Sequence, residues 1–346
     1  MKLDKAKAMK AIIQIPCLNE EENLPATLKE LPRKLTGIDE VKWLVVDDGS
    51  RDDTVKIAIE NGVDYIISHP NNKGLAQSFI TGLEACLYFG ADIIINTDAD
   101  NQYFAGDIQK LVDPIIKKEA DYVIGARPIA ETTHFSPLKK VLQSIGSRIV
   151  RFVSKTNVTD APSGFRAISR KAAMRLQVFN NYTYTLETII QAGRANIKVV
   201  SVPIRTNPQL RESRLISSIP NYIFRSAQTI IRSLLAYDPF KFFVIPSMGF
   251  IISALGIGFR FLYFYFIGNG DGHIQSLIFG TILFVLGGLL FVTGLLSDLI
   301  SVNRKLLERT DYKIRTIYYE NNGHTPKSDL FLQYGEIVYI RQETAN

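Results

Sequence analysis

Two apolar runs in the last third of the chain set the strongest limit on its fold. Residues 242–267 are a stretch of 26 with one charge, Arg260, and residues 274–297 a stretch of 24 with none. A hydrocarbon layer about 30 Å thick is crossed by roughly 20 apolar residues in a helix, which satisfies its own backbone. A tandem pair joined only by Gly268-Asn269-Gly270-Asp271-Gly272-His273 predicts a transmembrane hairpin. That linker has no Lys or Arg, whereas Arg225, Arg232 and Lys241 flank one side and Arg304, Lys305 and Arg309 the other. The positive-inside rule then predicts a multi-pass protein of the cell membrane with both termini and everything before the hairpin in the cytoplasm. Arg260, about two turns from the outer end, either snorkels to the headgroups or faces a helix partner or lipid phosphate. Gly287, Gly288 and Gly294 give the second helix small residues that suit packing against copies of itself, so a homo-oligomer is open.

The first 215 residues obey a different rule. Residues 11–15, 41–46 and 93–95 are short apolar runs that stop at polar clusters and are followed by helical patterns. Buried parallel strands of an α/β sheet read this way, and ligands of such sheets gather at the carboxyl ends of the strands. The third run is the most telling: Ile93-Ile94-Ile95-Asn96-Thr97-Asp98-Ala99-Asp100-Asn101-Gln102. Continued as extended chain, it projects Asp98, Asp100 and Gln102 to one side, about 7 Å apart. Their hard oxygens suit an octahedral Mg²⁺ or Mn²⁺ that holds a diphosphate. An isolated Asp-x-Asp is a solvated acidic turn; three such strand ends together form a site for a nucleotide and a metal. Ser50 to Asp53 reads as a helix start with Ser50 as N-cap, which leaves Asp52 and Asp53 no catalytic part.

Between these parts, Ile223, Phe224, Ile230, Ile231, Leu234 and Leu235 mix with Arg225, Gln228, Arg232 and Ser233. The pattern predicts an amphipathic interfacial helix, broken near Pro220 and ended by Asp238-Pro239. Residues 310–346 are polar, with an alternating run at Glu336-Ile337-Val338-Tyr339-Ile340 that suits a small hairpin. The expected layout is a catalytic domain over 1–215, juxtamembrane helices over 216–240, two spans over 241–300 and a cytoplasmic tail over 301–346. A net charge of +6 favours an anionic partner. The charge gathers at the membrane flanks and no nucleic-acid-binding motif is present, so no nucleic acid is expected. Cys17 and Cys86 read as reduced core residues, without the ligands of a zinc site. The apolar stretch after the basic residues 1–10 is too short for a signal peptide.

Four motifs now stand in order: Pro16-Cys17-Leu18-Asn19-Glu20, Val46-Asp47-Asp48-Gly49-Ser50, Asn72-Lys73-Gly74-Leu75 and Asp98-Ala99-Asp100-Asn101-Gln102. The set resembles inverting GT-A glycosyltransferases of family 2, and within them the polyprenyl-phosphate sugar transferases, the dolichol-phosphate mannose synthase group. Ser163-Gly164-Phe165-Arg166 and Glu212-Ser213-Arg214-Leu215 extend the likeness to about residue 215. The resemblance implies an α/β Rossmann-like GT-A domain that transfers a hexose from a nucleotide-diphosphate sugar, UDP-hexose or GDP-mannose, to undecaprenyl or dolichyl phosphate at the lipid bilayer.

It also implies roles for residues. Asp98, Asp100 and Gln102 would hold the metal. Pro16, Leu18, Asn19, Glu20, Asp47, Asp48, Lys73, Asp98 and Asp100 would bind the nucleotide sugar, with Lys73 either beside the donor or a solvated loop charge. The acceptor phosphate falls to Arg127, Ser147, Arg148, Ser163, Arg166, Arg205 and Ser213. Arg127, Arg211 and Arg214 are the foremost catalytic cations. A phosphate monoester has a second pKa near 6 and is largely ionised at pH 7. Such an acceptor needs cations more than a general base, and arginine suits phosphate bidentately. Glu187 matches an acidic residue near the acceptor or is a helix-surface glutamate. The chain departs from the group at Leu18, where an aromatic is usual, and at Arg211-Glu212-Ser213, where Gly-Glu-Ser is usual. A processive polysaccharide synthase is excluded, because its Gln-x-x-Arg-Trp motif needs a tryptophan other than Trp43. A transferase with another lipid or glycan acceptor, or a non-catalytic membrane scaffold, are the alternatives.

Overall fold

The computed structural model describes residues 8–128, 137–178, 184–208, 219–268, 271–321 and 336–341. The chain divides into two compact units, Met1–Ile230 with Tyr312–Asn346, and Ile231–Asp311.

The first unit is built on eight strands: β1 (Lys10–Cys17), β2 (Glu40–Asp47), β3 (Tyr65–Ser68), β4 (Ile93–Asn96), β5 (Tyr122–Ala126), β6 (Arg166–Ser169), β7 (Val199–Pro203) and β8 (Glu336–Ile340). They lie in the order β7-β5-β6-β4-β1-β2-β3-β8. The three apolar runs of the sequence are the adjacent strands β4, β1 and β2, parallel and in register Ile13↔Trp43 and Ile13↔Ile95. Their runs are continuous because both faces are covered. Helices α1 (Leu24–Glu30), α2 (Thr54–Glu60), α3 (Leu75–Tyr88) and α4 (Ile108–Ile116) follow β1 to β4 in turn. Ile13, Ile15, Val45 and Ile95 share one apolar cluster with Leu24, Leu28, Ile108 and Leu111. On this basis Ile12, Ile13, Leu44, Val45, Ile94 and Ile95 are all fully buried, each worth roughly 1.5–3 kcal/mol of transfer free energy.

Past β5 the pattern changes. Helices α5 (Pro137–Ser154), α6 (Arg170–Ala173) and α7 (Thr185–Arg194) follow, and β6 is inserted antiparallel between β4 and β5. Strands β1 to β5 and β7 all run the same way, so their carboxyl ends share one edge of the sheet.

The tail departs from expectation. The second long apolar helix runs on to Asn321, and residues 336–340 pair outside the tail. They are β8, paired antiparallel with β3, and Arg341 N–H donates to the Asp64 carbonyl at 2.9 Å. An open parallel sheet leaves a row of unpaired backbone groups at its edge, and the alternating C-terminal run satisfies them.

Three further long helices are α8 (Ile219–Tyr237), α9 (Pro239–Phe266) and α10 (Ile274–Asn321). Pro220 does not break α8; it sits in the first turn, where a missing N–H costs nothing. Two helices, Pro239–Phe266 and Ile274–Tyr319, are long and apolar enough to cross a membrane. Within the second unit Gly287 and Gly294 face α9, where an added Cβ would lie 2.7 Å from Ile251 and 3.2 Å from Phe243. The Ser247 hydroxyl donates to the Gly287 carbonyl at 2.8 Å. These two glycines are thus spent on close packing inside the hairpin, not on a surface for copies; Gly288 alone of the three has nothing near it. Arg260 is exposed and sits 5.7 Å from the Phe264 ring, one turn nearer the linker.

Candidate active site

The loops leaving β1 and β2 are cross-tied. Asn19 takes a left-handed conformation (φ 53°). Its N–H donates to Ser50 Oγ at 2.9 Å, and its Oδ1 accepts from Arg51 N at 2.9 Å. Glu20 N–H donates to Thr54 Oγ1 at 2.9 Å, and the Glu20 carboxylate accepts from Asn23 Nδ2 at 3.0 Å. Asp47 Oδ1 accepts from Ser50 N at 3.0 Å. The capping expectation for Ser50 is corrected: α2 begins at Thr54, and Asp52 Oδ1 accepts from Thr54 N at 3.1 Å. Pro16 is buried in β1 opposite Val46, and Leu18 is half-buried at its exit.

The Asp48 carboxylate is buried and engaged by three donors of the protein. Its Oδ1 accepts from His69 Nδ1 at 2.6 Å and Lys73 N at 2.9 Å, and its Oδ2 from Gly74 N at 2.8 Å. Burial by itself would raise its pKa, but these hydrogen bonds outweigh it and hold the carboxyl below the usual range. The other ring nitrogen of His69 meets Thr81 Oγ1 at 2.9 Å. Asp48 therefore anchors the loop that carries the exposed Lys73. That loop lies so close to Gly49 (φ 76°) that a Cβ there would stand 2.9 Å from the Asn71 carbonyl carbon. Gly49 meets both demands, the left-handed turn and the close approach.

The acidic motif differs from the expected geometry. Strand β4 ends at Asn96, and residues 97–102 turn, with Asn101 left-handed (φ 54°). Strand alternation therefore does not align Asp98, Asp100 and Gln102. The turn brings the two carboxylates together instead. Burial first, then the charge of Asp100, pushes the Asp98 carboxyl up to about 7. Asp100 Oδ1 accepts from Gln102 N at 3.1 Å. Among the described residues no cluster of three or more His, Cys, Asp or Glu forms a closed cage. A pair of repelling carboxylates fits a hard divalent cation whose other ligands are diphosphate oxygens and water.

Four of the residues expected at the acceptor phosphate converge on one loop, 160–166, and each is engaged there. Arg127 grips Asp160 with Nε at 2.7 Å and Nη2 at 3.0 Å. Ser147 Oγ accepts from Ala161 N at 3.3 Å. Ser163 is fully buried, its Oγ accepting from Phe165 N at 3.4 Å. Arg166 is fully buried and donates to the carbonyls of Ser163 (2.7 Å) and Ala161 (2.9 Å), to Thr188 Oγ1 (2.9 Å) and to the Tyr122 hydroxyl. Ser147, Ser163 and Arg166 are thus buried groups that brace the loop. Arg127 is mostly buried as well; burial by itself would lower its pKa, but the charge and hydrogen bonds of Asp160, with Tyr103 and Asp98, outweigh it and the pKa is raised. Its charge also acts on Asp98.

The brace places Gly164 against the carboxylates. A Cβ on Gly164 would lie 2.9 Å from both Asp98 oxygens. The Gly164 N–H donates to the Tyr103 hydroxyl at 2.9 Å, and that hydroxyl hydrogen-bonds Asp98. Beneath, the Asn96 amide donates to the Gly164 carbonyl (2.8 Å) and the Tyr184 hydroxyl (2.9 Å) and accepts from Gln14 Nε2 at 2.9 Å. This ladder explains polar residues inside two apolar strands.

Arg205 is paired elsewhere than expected: its Nη2 donates to Asp107 Oδ1 at 2.7 Å, and its guanidinium lies 4.0 Å from the Phe104 ring. Burial opposes the charge on Asp107, yet Arg205 and Lys110 hold that carboxyl down at about 2. Asn207 N–H donates to the Gln102 carbonyl at 2.9 Å, fastening the exit of β7 to the acidic turn. Arg148 is exposed on α5, and Glu187 is buried in the first turn of α7. Arg211, Ser213 and Arg214 lie outside the described residues. Sequence reasoning missed Tyr103, Asp160, His69 and Asn207. His69 directly follows β3, and Tyr103, Asp160 and Asn207 lie in connecting loops, positions where polar residues are too common to be informative.

A nucleotide-binding α/β sheet with paired carboxylates at the exit of its fourth strand is the architecture of a GT-A glycosyltransferase. Residues 12–177 match glycosyl transferase family 2. The chain is 33% identical over 214 residues to a UDP-N-acetylglucosamine–dolichyl-phosphate N-acetylglucosaminyltransferase of Methanococcus voltae, covering 56% of this chain and 83% of that one. It is 27% identical over 222 residues to an undecaprenyl-phosphate mannosyltransferase of Micrococcus luteus, covering 61% and 89%. Glucosyl-3-phosphoglycerate synthase from Mycobacterium tuberculosis, solved with UDP, shares the fold at a TM-score of 0.53 and 18% identity, covering 66% of this chain and 81% of that one. This protein belongs to glycosyl transferase family 2, in the group of polyprenyl-phosphate sugar transferases.

Proposed function

We propose that the protein transfers a hexose, with inversion, from a nucleotide-diphosphate sugar to a polyprenyl phosphate. The observation that carries this reading is the Asp98–Asp100 pair, closed on one side by Gly164 and the Arg127–Asp160 brace. The relatives named for dolichyl-phosphate and undecaprenyl-phosphate transfer support the acceptor. Mg²⁺ or Mn²⁺ bound by Asp98 and Asp100 would neutralise the departing diphosphate; the synthase from Mycobacterium tuberculosis was solved with Mn²⁺ and UDP.

The chain's own residues supply the rest. Asn19, Glu20 and Asp47 fix the two loops against which the nucleoside lies, and Asp48 with His69 sets the loop that presents Lys73 to the donor. Arg127 balances charge at Asp98. The acceptor phosphate oxygen attacks the anomeric carbon, the bond from that carbon to the diphosphate oxygen breaks, and the electron pair leaves on the diphosphate. No proton is transferred, because the attacking phosphate is already ionised. The basic flanks of the hairpin support a cytoplasmic catalytic unit.

The test is transfer of radiolabelled sugar into organic-extractable lipid by purified protein. Polyprenyl phosphate, Mn²⁺ or Mg²⁺ and a panel of UDP-hexoses and GDP-mannose are supplied, with Asp100→Ala as control. Transfer from one donor, lost on chelation and in the variant, is the expected result. Donor binding with no lipid product across the panel overturns the acceptor.

A further inference from the structure

Helix α1 carries an acid where the helix itself has no use for one. Glu30 is its last residue and is exposed. A carboxylate there faces the negative end of the helix macrodipole. Yet both of its oxygens are engaged. Glu30 Oε1 accepts from Asn101 Nδ2 at 3.1 Å, and Oε2 accepts from Asn207 Nδ2 at 3.0 Å. The two asparagines also meet each other. Asn207 Nδ2 donates to the Asn101 carbonyl at 3.1 Å and lies 3.4 Å from its Oδ1. The members of this knot are 71, 106 and 177 positions apart, so no local pattern produces it. A carboxylate completes it because it offers an acceptor to each amide; a glutamine would offer one acceptor and one donor.

The knot grips the acidic turn. Asn101 stands between Asp100 and Gln102 in the left-handed conformation, φ 54°, which is unfavourable for an L-residue. Glu30 and Asn207 hold its side chain and its carbonyl there. Asn207 is itself fixed to the turn: its N–H donates to the Gln102 carbonyl at 2.9 Å, and Thr206 beside it bridges Tyr103. Thr27, three residues before Glu30 and so on the same face of α1, donates its hydroxyl to the Ala99 carbonyl at 2.7 Å. Ala99 lies between the two carboxylates. We propose that Glu30 is a positioning residue for the metal: through Asn101 it holds the turn that brings Asp98 and Asp100 together, with Asn207 as its fixed point at the exit of β7. The inference rests on the reading of Asp98 and Asp100 as metal ligands. Removing a group that orients metal ligands weakens metal binding by about 10–100-fold.

The test titrates Mn²⁺ alone into the full-length protein in detergent, following the paramagnetic resonance of the free ion. Hydrogen–deuterium exchange of the metal-free protein reports the turn. The variants are Glu30→Gln, which keeps the shape, Glu30→Ala, Asn207→Ala and the double Glu30→Ala with Asn207→Ala. Glu22→Gln removes an exposed carboxylate just before α1 and controls for charge. Each single knot variant should bind Mn²⁺ about 10-fold more weakly, glutamine no better than alanine. The double variant should be no weaker than the singles, because the three residues act as one unit. Amides of residues 97–103 should exchange faster in each, with the urea midpoint unchanged. Wild-type Mn²⁺ affinity in Glu30→Gln and Glu30→Ala overturns the inference and leaves the knot a structural tie. A loss matched by Glu22→Gln overturns it too, since charge alone then accounts for the effect. A wild-type chain that binds Mn²⁺ no better than Asp100→Ala would instead sink the metal reading itself.

Discussion

The guanidinium of Arg127 and the carboxylate of Asp160 form a two-pronged pair, Nε to Oδ2 at 2.7 Å and Nη2 to Oδ1 at 3.0 Å, with side chains only 12% and 1% exposed. Removing one partner of a buried pair leaves an uncompensated charge, at a cost of about 3–5 kcal/mol. Asp160→Ala should therefore lower the urea midpoint sharply. Arg127→Lys keeps the charge but not the fork and should lose activity more than stability. Denaturant unfolding alongside the lipid-product assay separates the two effects.

Gly164→Ala tests the contact at the acidic turn. The new methyl would collide with both Asp98 oxygens and displace the carboxylate. A misplacement of about 1 Å near a reacting centre costs on the order of 10²-fold in rate. Turnover should fall by about that factor and Mn²⁺ should bind more weakly, while far-ultraviolet circular dichroism stays unchanged.

Metal binding should depend on pH through Asp98. In the metal-free protein its carboxyl is raised from 3.8 to about 7, by burial and then by Asp100. Below about 7 a cation must displace a proton, so apparent Mn²⁺ affinity should fall as pH falls and level off above that point. The folded metal-free chain also holds this proton where the unfolded chain has lost it. From this group, stability should decline as pH rises from about 4 to about 7. Titration calorimetry and thermal melts across this range check both signs. An Asp100→Asn variant, which removes the like charge, should move the break to lower pH.

Deleting residues 322–346 removes β8 and opens the outer edge of β3. The amides of Tyr65–Ser68 should then exchange faster with deuterium, and the protein should associate through the bared edge as concentration rises. Unchanged protection at β3 would mean that the C-terminal strand is not paired there in solution.

The sequence by itself determined the elements whose cause is local. Three apolar runs ending in polar clusters are strands β1, β2 and β4, because a strand buried on both faces must be apolar throughout. Two long apolar stretches are the helices long and apolar enough to cross a membrane. The Asp98–Asp100 pair and the motifs around it marked the edge of the sheet where the site lies. Tertiary structure decided what those side chains hold. Asp48 and Arg127 read as ligands for substrate, yet their hydrogen bonds go to His69 and Asp160, residues 21 and 33 positions away. Ser147, Ser163 and Arg166 read as phosphate contacts and are buried supports of one loop. The C-terminal strand pairs with a partner more than 270 positions upstream, Ile66↔Tyr339. Periodicity records whether a residue faces a core or water. Which polar groups meet inside that core depends on register and chain return, and neither leaves a local trace.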